Sequence, residues 1–294
     1  MGESDWLAER FERDRPYLRA VAFRMLGSWS EADDAVQDSW LRLSSTDPNG
    51  IENLRGWLTT VVGRVCLNML RSRRSRPEEQ LGEPELEPTL WDPNGPDPEG
   101  EAVLADSVGS ALLVVLDFLA PAERLAFVLH DLFAVPFDEI APIVGRSPSA
   151  VRQLASRARR RVQGADRPSE ADVARQRAIV DAFLVASRQG DFHELLQILD
   201  PDIVLHADGT AMPSGKPHEL TGAHRVARSA LMFSDRAQFA QPALVNGAVG
   251  IVVAPRGRLF LVLGFTFTKS KIATIDVIAD SQRVRQLDLA VLDA

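Results

Sequence analysis

Cysteine, tyrosine and long apolar runs are scarce in this 294-residue sequence, and each scarcity excludes a class of protein. The single cysteine, Cys66, cannot form a disulfide within the chain, which fits a reducing compartment. No segment approaches the roughly 20 consecutive apolar residues of a membrane-spanning helix, and no basic and then apolar secretion signal is present. We therefore expect a cytoplasmic protein with no membrane attachment.

Motifs for metal and nucleotide chemistry are also missing. No pair of histidines stands at ligand spacing, so we expect no metal site and no cofactor. The sequence lacks the glycine-rich phosphate loop of nucleotide hydrolases. The chain is 45% hydrophobic, enough for two or three cores, and its net charge of −8 means that any nucleic-acid binding is local.

Residues 137–162 have the pattern of two short helices joined by a tight turn. Gly145 stands where the chain must turn without a Cβ, and Ser147 followed by Pro148 is typical of a helix start. The second helix places apolar residues on one side. Its other side carries Arg152, Gln153, Ser156, Arg157 and Arg160.

The charge of this segment favours DNA binding. Residues 137–164 contain six arginines and two acids, a local charge of +4 in a chain of −8. Arginine can bind guanine and glutamine can bind adenine in the major groove, so the pattern predicts a helix-turn-helix that reads DNA. The alternative is an ordinary helical hairpin whose arginines are merely solvated.

Two earlier segments are predicted to be helices of opposite charge. A helix that starts after Ser30 presents an acidic outward face that includes Asp34, Gln37 and Asp38. A helix over about 53–74 is basic, because residues 55 to 76 include six arginines and no acid. The acidic face fits either solvation or a protein contact, and the basic face fits either a favourable helix dipole or a nucleic-acid strand.

The order of these motifs, "LGSWSEADDAVQDSWLRL", "LRGWLTTVVGRVCLNMLRSRRSR" and then the helix-turn-helix, resembles an extracytoplasmic-function sigma factor. The resemblance implies sigma region 2 at residues 1–76 and sigma region 4 at 102–164. It also implies binding to core RNA polymerase, at the β′ clamp helices and the β flap, and to promoter DNA. The residues that it assigns are Asp34, Gln37 and Asp38 to the polymerase, Arg64, Asn68 and Arg71 to the −10 element, and Arg152, Gln153, Ser156, Arg157 and Arg160 to the −35 element.

Residues 77–101 are predicted to be a linker between the two helical modules. From 77 to 106 the sequence has ten acids, six prolines and no base. Repeated prolines prevent a continuous helix, and like charges keep such a segment extended.

Residues 168–294 have the pattern of a third, α+β domain. Helices are predicted over 169–189, 192–199 and 222–235, and five β-rich segments are bounded by Pro, Gly and Asn. This order resembles the SnoaL-like cone that a subset of these sigma factors carries, and the whole order resembles a mycobacterial member of that subset. The expected fold class is therefore multidomain, with two all-α sigma modules followed by a C-terminal α+β SnoaL-like cone.

The cone suggests either a regulator or an enzyme. The first hypothesis is a sigma factor, not an enzyme, whose cone acts by intramolecular contact; the second is a DNA-binding regulator with a ligand-binding cone. The third is a cyclase or isomerase, in which His206, Asp208, His224 or Asp276 would transfer protons. The isomerase chemistry also uses a tyrosine, and the one tyrosine here, Tyr17, lies in the first module. Asp208 and Gly209, which remain from the DGGGK run usual in that subset, mark with His206 a possible cone or interdomain site.

Overall fold

The computed structural model describes residues 3–46, 51, 53–75, 107–164, 169–212, 214–255 and 258–292. The predicted linker, 77–101, lies outside these residues. Two compact units divide the chain: one contains the described residues of 1–103 and 119–159, and the other those of 104–118 and 160–294.

Helices and strands follow the chain in this order. The helices are α1 (Glu3–Leu26), α2 (Trp29–Ser44), α3 (Leu54–Ser75), α4 (Ser107–Asp117), α5 (Pro121–Phe127), α6 (Phe137–Val144), α7 (Pro148–Gln163), α8 (Glu170–Gln189), α9 (Phe192–Ile198), α10 (Ala223–Met232), α11 (Ser234–Ala237) and α12 (Ser281–Val284). The strands are β1 (Leu199–Ala207), β2 (His218–Thr221), β3 (Ala240–Val245), β4 (Ala248–Val253), β5 (Leu261–Thr268), β6 (Lys271–Ile278) and β7 (Leu289–Ala290).

Helices α1, α2 and α3 pack together in the first unit. Gly27, with a φ of 73°, ends α1 and lets the chain turn directly into α2. The N-cap of α2 is Ser28, whose hydroxyl accepts from the Glu31 amide, so this helix starts before the predicted Ser30. The apolar faces meet in a core that includes Leu18, Met25, Leu43, Leu58 and Leu67.

The predicted helix-turn-helix is formed by α6 and α7. Gly145 caps α6 with a φ of 72°. The Ser147 hydroxyl accepts from the Ala150 amide at 3.3 Å and so caps α7, as predicted. Before α6, residues Val128–Leu132 form a single π-helical turn that continues α5.

The C-terminal domain is a seven-stranded sheet with helices packed on it. The strand order is β2-β1-β6-β5-β4-β3-β7, and β1 pairs with β6 in parallel while the other neighbours are antiparallel. Helices α9 and α10 pack on β1, and α8 packs on β3 and β4. This layout, with an antiparallel meander from β3 to β6, fits the predicted α+β cone.

Some boundaries in the cone differ from the prediction. The predicted helix at 222–235 is divided into α10 and α11, because Phe233 leaves helical geometry. Strands β2 and β7 were not predicted, since they have only four and two residues. Strand β1 begins at Leu199, where a helix was predicted to end.

Helix α4 belongs to the same compact unit as the cone. It packs against β3 and β7. In the same unit, the amide of Val291 donates to the carbonyl of Val162 at 2.8 Å, which joins the end of α7 to the residues after β7.

Candidate nucleic-acid interface

The outward face of α7 presents the side chains that were predicted to read DNA. Arg152, Gln153, Arg157 and Arg160 are exposed, and Ser156 is half-buried. On the opposite face Val151, Leu154, Ala155 and Ala158 are 3% exposed or less. The apolar face therefore fixes the orientation of α7 and leaves a polar, basic face outside.

Neighbouring side chains hold two of these arginines. The Nε of Arg157 donates to the Oε1 of Glu123 at 2.9 Å. The guanidinium of Arg152 lies 5.3 Å from the centre of the Phe137 ring, within cation–π range. Both contacts limit the number of rotamers that these arginine side chains adopt, which lowers the conformational entropy that remains to be lost on binding.

The predicted −10 residues lie on α3. Arg64, Asn68 and Arg71 fall at i, i+4 and i+7 and are exposed on one face of the helix. The Nη2 of Arg64 donates to the carbonyl oxygen of Pro142 in α6 at 3.2 Å. Within this compact unit, one candidate DNA-reading side chain therefore bonds to the first helix of the helix-turn-helix.

Two further contacts join the same two helical modules, one through a buried arginine and one between half-buried aromatic rings. The guanidinium of Arg124 is 2% exposed, and its Nε and Nη2 donate to the carbonyl of Arg24 at 3.2 and 3.1 Å. This carbonyl lies in the last turn of α1, where a positive charge is favourable. Tyr17 and Phe133 meet edge to face with ring centres 5.4 Å apart.

Cys66 on α3 is buried within reach of the charge of Arg124. Burial raises the pKa of the thiol from 9.0 to about 12, an effect that the charge of Arg124 partly opposes. At neutral pH the thiol is therefore uncharged and behaves as an apolar core side chain.

The predicted polymerase residues share the exposed face of α2. Asp34, Gln37 and Asp38 are all exposed there. Leu41 continues the same face one turn later and is 58% exposed. Asp33, beside them, is bound by Arg19 at 2.7 Å.

A groove beside this face adds an apolar element that the sequence did not predict. It has a volume of about 390 Å³ and is lined by Ala8, Phe11, Glu12, Arg15, Gln37 and Trp40. Exposed apolar surface rimmed by polar residues is typical of protein contacts. The sequence offered only an indirect signal, the apolar Leu41 at helical spacing from the acidic residues of α2.

His206 and Asp276, two candidates for acid–base chemistry, are neighbours on β1 and β6. His206 is exposed, and its Nδ1 lies 3.4 Å from an oxygen of Glu219. The residues on either side of each candidate line an internal cavity of the cone, among them Leu205 and Ile275. Because side chains alternate along a strand, both candidates point away from that cavity, which disfavours the enzyme hypothesis.

Asp208 has a structural position at the end of β1. Its Oδ1 accepts from the amide of Ala211 at 2.9 Å, and its Oδ2 accepts from the amides of Ala279 and Asp280, each at 2.9 Å. A Cβ at the next residue, Gly209, would lie 2.6 Å from a backbone carbonyl oxygen, so no side chain fits there. The aspartate therefore joins this loop to the end of β6.

Among the residues that the structure describes, no helix has both the length and the apolar character needed to cross a membrane.

Two family models match the helical modules of the chain. Sigma-70 region 2 matches residues 10–76, and Sigma-70, region 4 matches residues 110–162.

Curated relatives resemble a larger part of the chain. The ECF RNA polymerase sigma factor SigJ of Mycobacterium tuberculosis is 39% identical over 251 residues, which cover 83% of this chain and 80% of that protein. The probable ECF RNA polymerase sigma factor SigI of the same organism is 36% identical over 211 residues, 71% and 72% of the two chains. The crystal structure of SigJ aligns with a TM-score of 0.47 and 32% identity, covering 94% of this chain and 97% of that one.

Proposed function

Because this chain belongs to the extracytoplasmic-function sigma factors of RNA polymerase, we propose that it binds core polymerase in the cytoplasm and directs it to specific promoters. The observation that carries this proposal is that one chain presents an exposed acidic face on α2, an exposed basic face on α3 and an exposed polar and basic face on α7. A DNA-binding regulator without polymerase would need α7 but would leave the faces of α2 and α3 without a shared purpose.

The acidic face of α2 is proposed to dock on the β′ clamp helices. Asp34, Gln37 and Asp38 supply charge and hydrogen bonds, and the exposed Leu41 supplies apolar area. Charged rims steer association, while buried apolar side chains at the centre of an interface contribute most of the affinity. Region 4 is proposed to contact the β flap.

Charge reversal tests this docking. Asp34→Lys combined with Asp38→Lys should abolish pull-down of core polymerase without lowering helix content. The control combines Asp202→Lys on β1 with Glu194→Lys on α9, which makes the same charge change at two exposed carboxylates of the cone. Pull-down of core polymerase by the α2 double variant at the level of the control would overturn the docking assignment.

Arg64, Asn68 and Arg71 are proposed to read the −10 element, and Arg152, Gln153, Ser156, Arg157 and Arg160 the −35 element. The two elements are about 25 base pairs apart, which at about 3.4 Å per base pair is about 85 Å along B-DNA. A hydrogen bond of 3.2 Å between Arg64 and Pro142 does not fit that separation. We therefore propose that the two modules separate when the promoter is bound, and that the free protein binds promoter DNA poorly.

The cone is proposed to modulate transcription by intramolecular contact with region 4. The support for this proposal is the packing of α4 against β3 and β7 and the hydrogen bond from Val291 to Val162 at 2.8 Å. Both α4 and the end of α7 overlap the matched region 4, residues 110–162. A contact within one chain acts at high effective concentration, so a weak interface is sufficient.

A further inference from the structure

The cone contains a partly open cavity of about 120 Å³ between its helices and its sheet. Side chains from α8 and α10 form one wall, and side chains from β1, β4, β5 and β6 form the other. The described lining is apolar apart from Ser187, Ser229, His218 and Arg236. A cavity of about 150 Å³ with apolar walls holds one benzene molecule, so the somewhat smaller space here limits a ligand to about one ring.

Ser187 gives this cavity an unusual polar atom. The residue lies on α8, is 4% exposed and lines the cavity, and its hydroxyl has no hydrogen-bond partner among the described residues. A buried hydroxyl without a partner has lost its hydrogen bonds to water and gained none in return, which is unfavourable. A partner from outside the chain would restore the bond.

Another buried helical serine shows how such a hydroxyl is ordinarily satisfied. Ser39 on α2 is fully buried, and its hydroxyl donates to the carbonyl of Ala35, four residues earlier, at 2.8 Å. Ser187 has the same kind of position in its helix but makes no such bond. Its hydroxyl is therefore available to a molecule in the cavity.

Two exposed residues mark where the cavity reaches the surface. His218 on β2 and Arg236 on α11 are exposed and also line the cavity. The guanidinium of Arg236 lies over the rings of Phe233 and Phe260, at 5.6 and 4.9 Å from their centres. The cavity therefore extends from the apolar interior to exposed polar side chains.

We propose that this cavity binds a small neutral molecule, about the size of one aromatic ring, whose single hydroxyl or carbonyl oxygen hydrogen-bonds to the Ser187 hydroxyl. The apolar walls bind the body of the ligand, and the serine selects for the oxygen. The described lining has no acidic side chain, and its basic side chains, Arg236 and His218, are exposed and not part of the apolar interior, so a neutral ligand fits there better than a charged one.

The test uses the full chain and two probes of equal size, phenol and toluene, with dissociation constants measured by titration calorimetry or ligand-observed NMR. Phenol should bind about five- to tenfold more tightly than toluene, the effect of one neutral hydrogen bond. Ser187→Ala should remove this preference and leave toluene binding unchanged. The matched control, Ser39→Ala, removes a buried helical serine from the other unit and should keep the preference.

A second variant locates the probes. Ala230→Leu adds volume to the wall formed by α10 and should weaken both probes together. The inference is overturned if neither probe binds, if Ser187→Ala retains the phenol preference, or if Ala230→Leu leaves both dissociation constants unchanged. These readouts require neither polymerase nor DNA, so they are independent of the proposed function.

Discussion

Burial of the Cys66 thiol makes the free energy of unfolding depend on pH in a way that can be measured. Burial raises the pKa of its thiol from 9.0 to about 12 in the folded protein, so folding favours the protonated thiol. This contribution to stability is complete below pH 9 and is lost as the pH rises towards 12, with a loss on the order of 1 kcal/mol at pH 10. Urea unfolding at pH 8 and at pH 10 should therefore show that the free energy of unfolding falls more between these two pH values for the natural chain than for Cys66→Ala. If the free energy of unfolding falls equally in the two proteins, burial does not raise the pKa of the thiol.

For individual residues, orientation on a helix was predictable from the sequence, but contacts with distant residues were not. Arg152 and Arg157 were predicted on the outward face of α7 because a helical period of 3.6 separates them from apolar neighbours. The partner of Arg157, Glu123, is 34 residues away, and the partner of Arg64 is 78 residues away, so no local pattern indicates either contact. Ser187 gave no signal either, since a serine in an amphipathic helix is ordinary until its burial is known.

The proposed recognition of the −35 element by helix α7 can be tested with single substitutions. Arg157→Ala should lower the affinity of the polymerase holoenzyme for its promoter by about 1–3 kcal/mol and relax the preference at one base pair. Arg160→Ala should weaken binding to all sequences alike and reduce the salt dependence, as loss of a phosphate contact does. Competition binding with single-base promoter variants separates the two effects.

The control for these variants is Arg175→Ala, which removes an exposed arginine on α8 whose ion-pair partner is Asp172, three residues earlier. It should leave promoter binding unchanged. If Arg157→Ala and Arg160→Ala lower affinity equally for every promoter variant, α7 binds DNA without sequence specificity and does not recognise the −35 element.

Long elements were predictable and short ones were not. Helices α1, α3 and α7 have apolar residues at regular helical spacing over at least 16 residues, enough to identify them from the pattern. Strand β7 has two residues and exists because Leu289 and Ala290 pair with Val245 and Leu244. Such a pairing depends on residues far apart in the sequence, which periodicity does not record. The sigma family was predicted from the resemblance of three sequence motifs, in their order along the chain, to a known family.

A substitution at Gly164 can disrupt the contact between the cone and region 4. This glycine has a φ of 84°, and a Cβ there would lie 3.2 Å from the Cβ of Ala290 in β7. Gly164→Ala should therefore both strain the backbone and push β7 away from the end of α7. If the cone modulates transcription, the yield of run-off transcripts from holoenzyme should change.

The matched control for Gly164 is Gly190→Ala. Gly190 has a similar φ of 72°, but no atom lies within 4 Å of its added Cβ. The control carries the backbone strain without the contact, so it corrects for a general loss of stability. Equal transcript yields from the two variants would contradict modulation through this contact.

The packing of α3 against α5 and α6 allows a test of the proposed separation of modules. Gly63 lies in α3, and a Cβ there would be 3.5 Å from Leu125 and from Ile143. That is an ordinary contact distance, so Gly63→Ala should fit and stabilise α3 by up to about 1 kcal/mol. Gly63→Phe is too large for this space and should wedge α3 away from α5 and α6.

The wedge should make the free protein better at binding DNA. Separation releases Arg64 from the Pro142 carbonyl and lets α3 and α7 reach elements that are about 85 Å apart at 3.4 Å per base pair. We expect Gly63→Phe to bind a duplex carrying both promoter elements more tightly than the natural chain does, with a larger radius of gyration by X-ray scattering. Gly63→Ala should match the natural chain in both measurements. Pull-down of core polymerase through α2 checks that the wedged protein remains folded, because α2 requires its packing on α1 to present its acidic face. A folded Gly63→Phe protein with unchanged scattering and unchanged DNA affinity would show that the contact between modules does not restrain promoter binding.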